Sequence, residues 1–341
     1  MYRLLRPLLF LLPPETAHGL ALALVRLRQG GARALPALRQ TLWGIDFPTP
    51  IGLAAGMDKG DVLAPGWFGL GFGWVEIGTI TPRPQPGNPL PRLFRLVREQ
   101  AIVNRMGFNN AGAGEVARRL AALPPQPGPI CINVGRNKDT PNERAADDYV
   151  AGFRALAPHA DAVVINVSSP NTPGLRALQS DLPALVSAVV RARDALPRRI
   201  PVLVKLSPDE PDHRLVEMAQ AAQEAGADGI VATNTTVDRA AVADHPRAME
   251  LGGLSGAPLR QRAQHVCKLL FRHLRIPLVG VGGIATAEDA YARIRAGASL
   301  VQIYTALVYQ GPGAPRRIAR GLAALLARDG LTLRDAIGKD T

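Results

Sequence analysis

At 341 residues, 47% of them apolar and 20% charged, the chain has the material for one large buried core. Its net charge of +12 admits nucleic acid, an anionic membrane surface or acidic small molecules as partners, but there is no dense basic run and aromatics are only 5%, which argues against nucleic acid. Cys131 and Cys267 are the only cysteines, neither in a CxxC nor at metal-ligand spacing from histidine, so neither a disulfide framework nor a metal site is expected.

Residues 1–40 carry Arg3, Arg6, Arg26, Arg28, Arg33 and Arg39 against one acid, Glu15. Leu4, Leu5, Leu8, Leu9, Phe10, Leu11 and Leu12 form a short apolar stretch, cut by Pro7 and ended by Pro13-Pro14. A spanning helix needs about 20 apolar residues, so this stretch is too short to cross a bilayer. It also lacks the small-residue cleavage site of a secretory signal. Pro14-Glu15 suits a helix first turn, predicting a second helix over about 14–28 with Leu20, Leu24 and Leu27 on one face. Two short amphipathic helices bearing arginine fit an interfacial membrane anchor. A helical cap on the domain's own core fits them equally well.

From residue 41 short apolar runs alternate with helical patterns. The runs are Ile51–Ala55, Val75–Thr79, Ile130–Val134, Ala162–Asn166, Val202–Leu206, Gly229–Thr233, Leu278–Val281 and Leu300–Tyr304. They read as buried parallel strands. Leu182–Leu196, Arg214–Ala225, Pro258–Leu274 and Ala287–Ala296 read as helices between the later ones. The leading fold is an α/β (β/α)8 TIM barrel over 41–341 preceded by a helical segment over 1–40, with an open doubly wound sheet as runner-up. Between Thr81 and Phe108, Arg92–Val97 and Ala101–Asn104 read as a hairpin inserted after the second strand, over the barrel mouth.

Several strands end in polar residues. The first leads into Gly56-Met57-Asp58-Lys59; the second ends at Thr79, the third at Asn133 and the fourth at Asn166, before Ser168-Ser169-Pro170-Asn171. The fifth carries Lys205, and the sixth runs into Thr233-Asn234-Thr235. Any one of these is most simply a cap or turn residue. Together, rich in neutral amides and poor in carboxylates, they suit a planar, anionic, amide-bearing substrate better than a metal or a sugar. Lys59 and Lys205 are two of only five lysines in an arginine-rich chain, at sites where a compact ammonium matters. Later come Gly252–Gly256, Gly280–Ile284 and Tyr304-Thr305, where glycines leave backbone N–H groups open to a phosphate.

The runs Ala54–Lys59, Glu76–Pro82, Asn104–Asn109, Asn166–Thr172 and Gly280–Ile284, in this order and spacing, resemble the dihydroorotate dehydrogenases over nearly the whole chain. The resemblance implies bound FMN and oxidation of dihydroorotate to orotate in pyrimidine synthesis. It implies Ser169 as the catalytic base, with Thr172 in its proton chain. It assigns substrate binding to Lys59, Asn104, Arg105, Met106, Gly107, Phe108, Asn166, Asn171, Asn234 and Thr235. The cofactor falls to Ala55, Gly56, Met57, Asp58, Lys59, Thr79, Asn133, Asn166, Lys205, Thr233, Gly256, Gly283, Tyr304 and Thr305.

Within the family, the soluble class carries cysteine at the position of Ser169 and lacks an extension like residues 1–40. The resemblance is therefore to the membrane-associated, quinone-reducing class, in which the N-terminal helices admit a membrane quinone. His18, Arg95 and Tyr304 match positions lining that tunnel; for His18 the residues alone favour an ordinary helix-surface histidine. The implied setting is the cytoplasmic side of the cell (inner) membrane, peripherally bound, as a monomer without nucleic acid. Two alternatives fit the barrel pattern: another flavin barrel enzyme, such as an ene-reductase or tRNA-modifying reductase, and a non-catalytic phosphate-binding barrel docked on membranes.

Overall fold

Eight short parallel strands pair side by side until the last meets the first. They are β1 (Ile51–Leu53), β2 (Trp74–Ile80), β3 (Ile130–Val134), β4 (Ala162–Asn166), β5 (Val202–Leu206), β6 (Gly229–Ala232), β7 (Leu278–Val281) and β8 (Ala298–Ile303). The ladder runs in chain order and closes through β8 and β1 by the pairs Val301–Ile51 and Ile303–Leu53. This computed structural model describes all residues except 1, 29, 31–34 and 173, and not the side chain of residue 3. The closed barrel excludes the open sheet.

Every residue of the eight strands is buried, which is why the runs read as continuously apolar rather than alternating. Alternate side chains nevertheless divide between two cores. Trp74, Cys131, Val164, Leu203, Val231, Val279 and Leu300 point inward and fill the barrel. Ile77, Ile132, Val163, Val204, Ile230 and Val301 point outward against the surrounding helices. Gly52 on β1 makes room for the largest inward ring, since a Cβ there would lie 2.2 Å from Trp74. A small hairpin unpredicted from the sequence, Gln40–Leu42 with Ile45–Phe47, plugs the floor of the barrel. Phe47 stacks edge-on against Trp74, and Trp43 donates to Asp228 O at 2.8 Å.

Above the mouth, Leu93–Leu96 and Ala101–Asn104 form the expected antiparallel hairpin. A third strand, Gly253–Gly256, adds to it by pairing with Ala101–Asn104. The first late glycine cluster is thus strand rather than open loop, and its glycines permit close approach. A Cβ at Gly252 or Gly256 would lie 2.2 and 2.3 Å from backbone oxygens of Asn104 and Gln100.

The N-terminal segment is two helices, α1 (Tyr2–Leu11) and α2 (Pro14–Arg26). Pro7 does not cut the apolar stretch as expected; α1 runs straight through it. The break comes at Pro13-Pro14, where Pro14 and Glu15 open α2 as read from the sequence. Of the N-terminal arginines, Arg33 lies outside the described residues. Tyr2 Oη donates to Val308 O at 2.6 Å, and Phe10 meets Tyr309 at 5.6 Å between ring centres, so α1 rests on the short helix Thr305–Gln310 after β8. Val25 of α2 packs into the space over Gly66. Facing away from the barrel are Leu4, Leu8 and Leu11 of α1 and Leu20 and Leu24 of α2, with Leu27 just beyond. Among the described residues no helix is long and apolar enough to cross a membrane.

Candidate active site

The polar strand ends converge on one cavity at the C-terminal mouth of the barrel, which with its opening to solvent encloses about 1190 Å³. Lining it are Ala55, Gly56 and Lys59 after β1, Thr79 on β2, Asn166, Ser169 and Asn171 at and after β4, Lys205 on β5, and Thr233, Asn234 and Thr235 after β6. Gly283 after β7 and Tyr304 and Thr305 after β8 complete the ring. The insertion adds Asn104, Met106, Gly107 and Phe108 as a lid, with Gly256 beside them. No Asp or Glu is among the described lining residues, so the two lysines set the charge of the site.

The amides form a connected web. Asn171 Nδ2 donates to Asn104 Oδ1 at 3.1 Å, joining the loop after β4 to the hairpin. Asn234 Nδ2 donates to Asn166 Oδ1 at 3.2 Å and to Ser168 Oγ at 3.0 Å, joining β6 to β4. Asn166 Nδ2 donates to Thr79 Oγ1 at 2.9 Å. Ser169 is buried, and its Oγ accepts from Asn171 N at 3.3 Å. Two buried acceptors, Asn171 Oδ1 and Thr172 Oγ1, have no hydrogen-bond partner among the described residues. An unpaired buried polar atom is costly, which marks these as places where a ligand or water belongs.

Lys205 is buried, and among the described residues nothing hydrogen-bonds or ion-pairs with its ammonium. Lys59 is also without a hydrogen bond or ion pair there. Burial lowers its pKa to about 8, opposed chiefly by Glu15 on α2 and reinforced by the Arg92 guanidinium. Both ammonium groups thus face the cavity without a counter-ion. His18 on α2 is partly buried; burial and then Lys59 hold its imidazole down at about 3, so it is neutral at physiological pH. Burial pushes the Tyr304 hydroxyl up to about 12.

A family model described as dihydroorotate dehydrogenase matches residues 37–326. The chain belongs to the dihydroorotate dehydrogenase family. A curated relative from Anaeromyxobacter dehalogenans (strain 2CP-1), dihydroorotate dehydrogenase (quinone), is 56% identical across 98% of this chain and 96% of its own length. One of the same name from Deinococcus deserti is 49% identical with both chains fully covered. The crystal structure of DHODH in complex with ferulenol from Eimeria tenella has a TM-score of 0.90 and 38% identity, over 96% of this chain and 95% of that one.

Not every residue expected at this dehydrogenase site faces the cavity. The Asp58 carboxylate turns inward and is consumed by the backbone N–H groups of Gly60, Val62 and Leu63 and by Trp67 Nε1 at 3.0 Å. Asp58 shapes the turn that presents Lys59, and Met57 is buried beside it. Asn133 lies beneath the floor, accepting from Thr79 Oγ1 at 2.5 Å and donating to Glu76 Oε1 at 2.7 Å. Arg105 points outward, pairing with Glu250 at 2.8 Å and lying 4.5 Å from the centre of the Phe94 ring.

Of the expected quinone positions, Tyr304 lines the cavity, and His18 lies on α2, close enough to feel the charge of Lys59. Arg95 holds the C-terminal carbonyls of α1, donating to Leu9 O and Phe10 O, each at 3.3 Å, and to Leu12 O. Glu76 and Gln302 were missed as site residues. Gln302 Nε2 donates to the buried Glu76 carboxylate, while its Oε1 has no partner among the described residues. The available signal was a long polar side chain inside each of two buried, mostly apolar strands.

Proposed function

We propose that this dehydrogenase oxidises dihydroorotate to orotate with FMN as hydride acceptor and a membrane quinone as final electron acceptor, within pyrimidine (UMP) synthesis. The observation that carries the reading is the convergence of Ser169, two unpaired lysines and four asparagines on one cavity with no acid among its described lining residues. An anionic, planar substrate with ring amides complements that set.

The chain's own groups suit FMN. Gly282, Gly283 and Ile284, all lining the cavity, donate no backbone hydrogen bond to a described residue. They form a nest for the phosphate, with Gly256, Tyr304 and Thr305 beside it. Ala55, Gly56, Thr79 and Thr233 would hold the ring system, with Asn133 supporting Thr79 from below. The unpaired Lys205 ammonium offers a counter-charge for the reduced ring, and Gln302 Oε1 an unused acceptor. When bound, FMN supplies a two-electron acceptor for the C6 hydride of the substrate.

Lys59 would hold the substrate carboxylate, and Asn104, Asn166, Asn171 and Asn234 its ring amides. Ser169 Oγ takes the C5 proton. A serine hydroxyl is a weak base alone, so the proton leaves through a hydrogen-bonded water, for which Thr172 Oγ1 is an available acceptor. Met106, Gly107 and Phe108 close the site from above and exclude bulk water. Residues 1–40 serve as a separate unit, bringing α1 and α2 to the cytoplasmic face of the cell membrane through their exposed leucines. The neutral His18 beside Lys59 suits the passage of an uncharged quinone. The chain works as a peripherally bound monomer.

Anaerobic stopped-flow mixing of the purified holoprotein with dihydroorotate tests this reading, followed by addition of a quinone. Bleaching of a yellow protein and its recovery are expected. A colourless protein, or a yellow one that dihydroorotate does not bleach, refutes it.

A further inference from the structure

Three successive carbonyls at the end of β4 are each held by a side chain. Tyr149 Oη donates to Asn166 O at 2.7 Å, Gln179 Nε2 to Val167 O at 3.4 Å and Arg176 Nε to Ser168 O at 3.2 Å. The next residue is Ser169, whose Oγ has, among the described residues, only the 3.3 Å contact from Asn171 N to orient it. The direction of that hydroxyl therefore depends on the backbone immediately before it. Tyr149 also has a backbone hydrogen bond from Arg136 after β3. Of the three, Arg176 is the one that reaches two other strand ends among the described residues. Its Nη2 lies 2.9 Å from Asp209 Oδ2 after β5 and 3.5 Å from Thr235 O after β6. Asp209 is itself fixed by the Thr236 hydroxyl and by Val237 N at 3.0 Å. The pair is largely shielded, with side chains 25% and 15% exposed. Neither residue lines the cavity.

We propose that Arg176, braced by Asp209, is a positioning residue for proton transfer at Ser169. The proposal rests on the reading of Ser169 as the base. The planar guanidinium ties the peptide before Ser169 to the ends of β5 and β6, which carry Lys205 and Asn234. It thereby fixes the base relative to the substrate-binding amides. Misplacement of a reacting group by about 1 Å can cost roughly 10²-fold in rate.

The test uses the FMN-loaded full chain and the variants Arg176→Met, Arg176→Lys and Asp209→Asn. Arg176→Met is expected to slow bleaching by dihydroorotate by about 10²-fold, while orotate affinity changes less than about threefold. The rate lost should be smaller for Arg176→Lys, which keeps the charge but not the fork. The double variant Arg176→Met/Asp209→Asn should be no slower than Arg176→Met, since both remove one brace. Two further readouts separate positioning from general damage. The isotope effect with C5-deuterated dihydroorotate should rise, because proton transfer becomes more limiting. Amide hydrogen exchange at Ser168, Ser169 and Asn171 should quicken, with the rest of the barrel unchanged.

Bleaching by Arg176→Met at the parental rate overturns the proposal. So does slowing with an unchanged C5 isotope effect, or slowing only in proportion to lost flavin. If dihydroorotate fails to bleach the parental enzyme, the proposed function itself fails and takes this role with it.

Discussion

Glu15 and Arg92 are joined by a forked ion pair across the seam between α2 and the barrel insertion. Arg92 Nε lies 3.0 and 3.2 Å from the two carboxylate oxygens, and Nη2 lies 2.7 Å from one of them. The same guanidinium donates through Nη1 to Asn88 O at 3.0 Å, and Asn88 Nδ2 donates to Asn171 O at 3.0 Å. One arginine and one asparagine thus connect an N-terminal helix to the loop behind Ser169.

Glu15→Gln weakens that seam without touching the cavity floor. The pair is only partly buried, so its loss costs about 1 kcal/mol, or a melting shift of roughly 2–4 °C. Glu15 also supports the Lys59 charge, so the comparison is made near pH 6, where Lys59 stays protonated: reoxidation by quinone slows most, while bleaching by saturating dihydroorotate stays near the parental rate. Equal slowing of both half-reactions in stopped-flow traces would reject this division.

If Lys59 holds the substrate carboxylate as proposed, substrate capture should depend on pH. Its pKa is about 8 through burial, against an ordinary 10.5. Above pH 8 the free site loses the Lys59 charge, so orotate affinity should fall by about tenfold per pH unit in titrations of the holoprotein. Lys59→Met should bind weakly and without that slope. Stability moves the other way. Between pH 8 and 10.5 the unfolded lysine binds more protons than the folded one, so this residue's contribution to stability rises with pH across that window.

For His18, the folded pKa of about 3 lies below the ordinary 6.5. The same sign applies: its contribution to stability falls as pH drops from 6.5 towards 3, because only the unfolded imidazole takes up the proton. Quinone reduction should show no histidine titration between pH 5 and 8 traceable to this residue. A step in that range that disappears in His18→Asn would contradict the assignment of a neutral imidazole.

Ser169→Ala removes the proposed base but little volume. Bleaching should slow by at least about 10²-fold, the usual span for a lost acid–base group. Orotate binding should change far less, as Lys59 and the asparagines remain. Comparable losses in both would demote Ser169 to a binding residue.

Leu4, Leu8 and Leu11 are 80%, 63% and 81% exposed on α1. Each leucine fully buried from water contributes roughly 1.5–3 kcal/mol, so replacing each by serine should lower partition onto anionic vesicles by about tenfold per site. Flotation assays measure this, with bleaching unchanged as the control. Removing residues 1–40 should abolish quinone reduction while bleaching largely persists. Equal quinone turnover after that deletion would refute the entry role of the two helices.

The barrel was legible because its strands are buried on both faces, and so appear as apolar runs at regular spacing. The predicted bounds of β3, β4, β5 and β7 match the structure residue for residue. The insertion hairpin was equally clear, but its third strand was not, because Gly253–Gly256 pairs with a segment some 150 residues away. Pro7 looked like a break, yet α1 continues past it, held by contacts with Val308 and Tyr309 that no local pattern encodes.

By itself the sequence determined the fold class, the ring of polar strand ends and the amide-rich character of the site, since these depend on local order and on which strand ends face one mouth. Only the tertiary structure decided which polar side chains enter the cavity. Asp58 and Lys59 are neighbours in the chain, yet one is buried capping the turn that follows it and the other faces the ligand space without a partner among the described residues. Arg105 sits in the right segment but turns outward to brace Glu250, and Arg95 reaches the end of α1. Barrel closure and the docking of distant segments fix those directions, because a long side chain goes where it finds its partners, and those partners lie from 2 to 145 residues away.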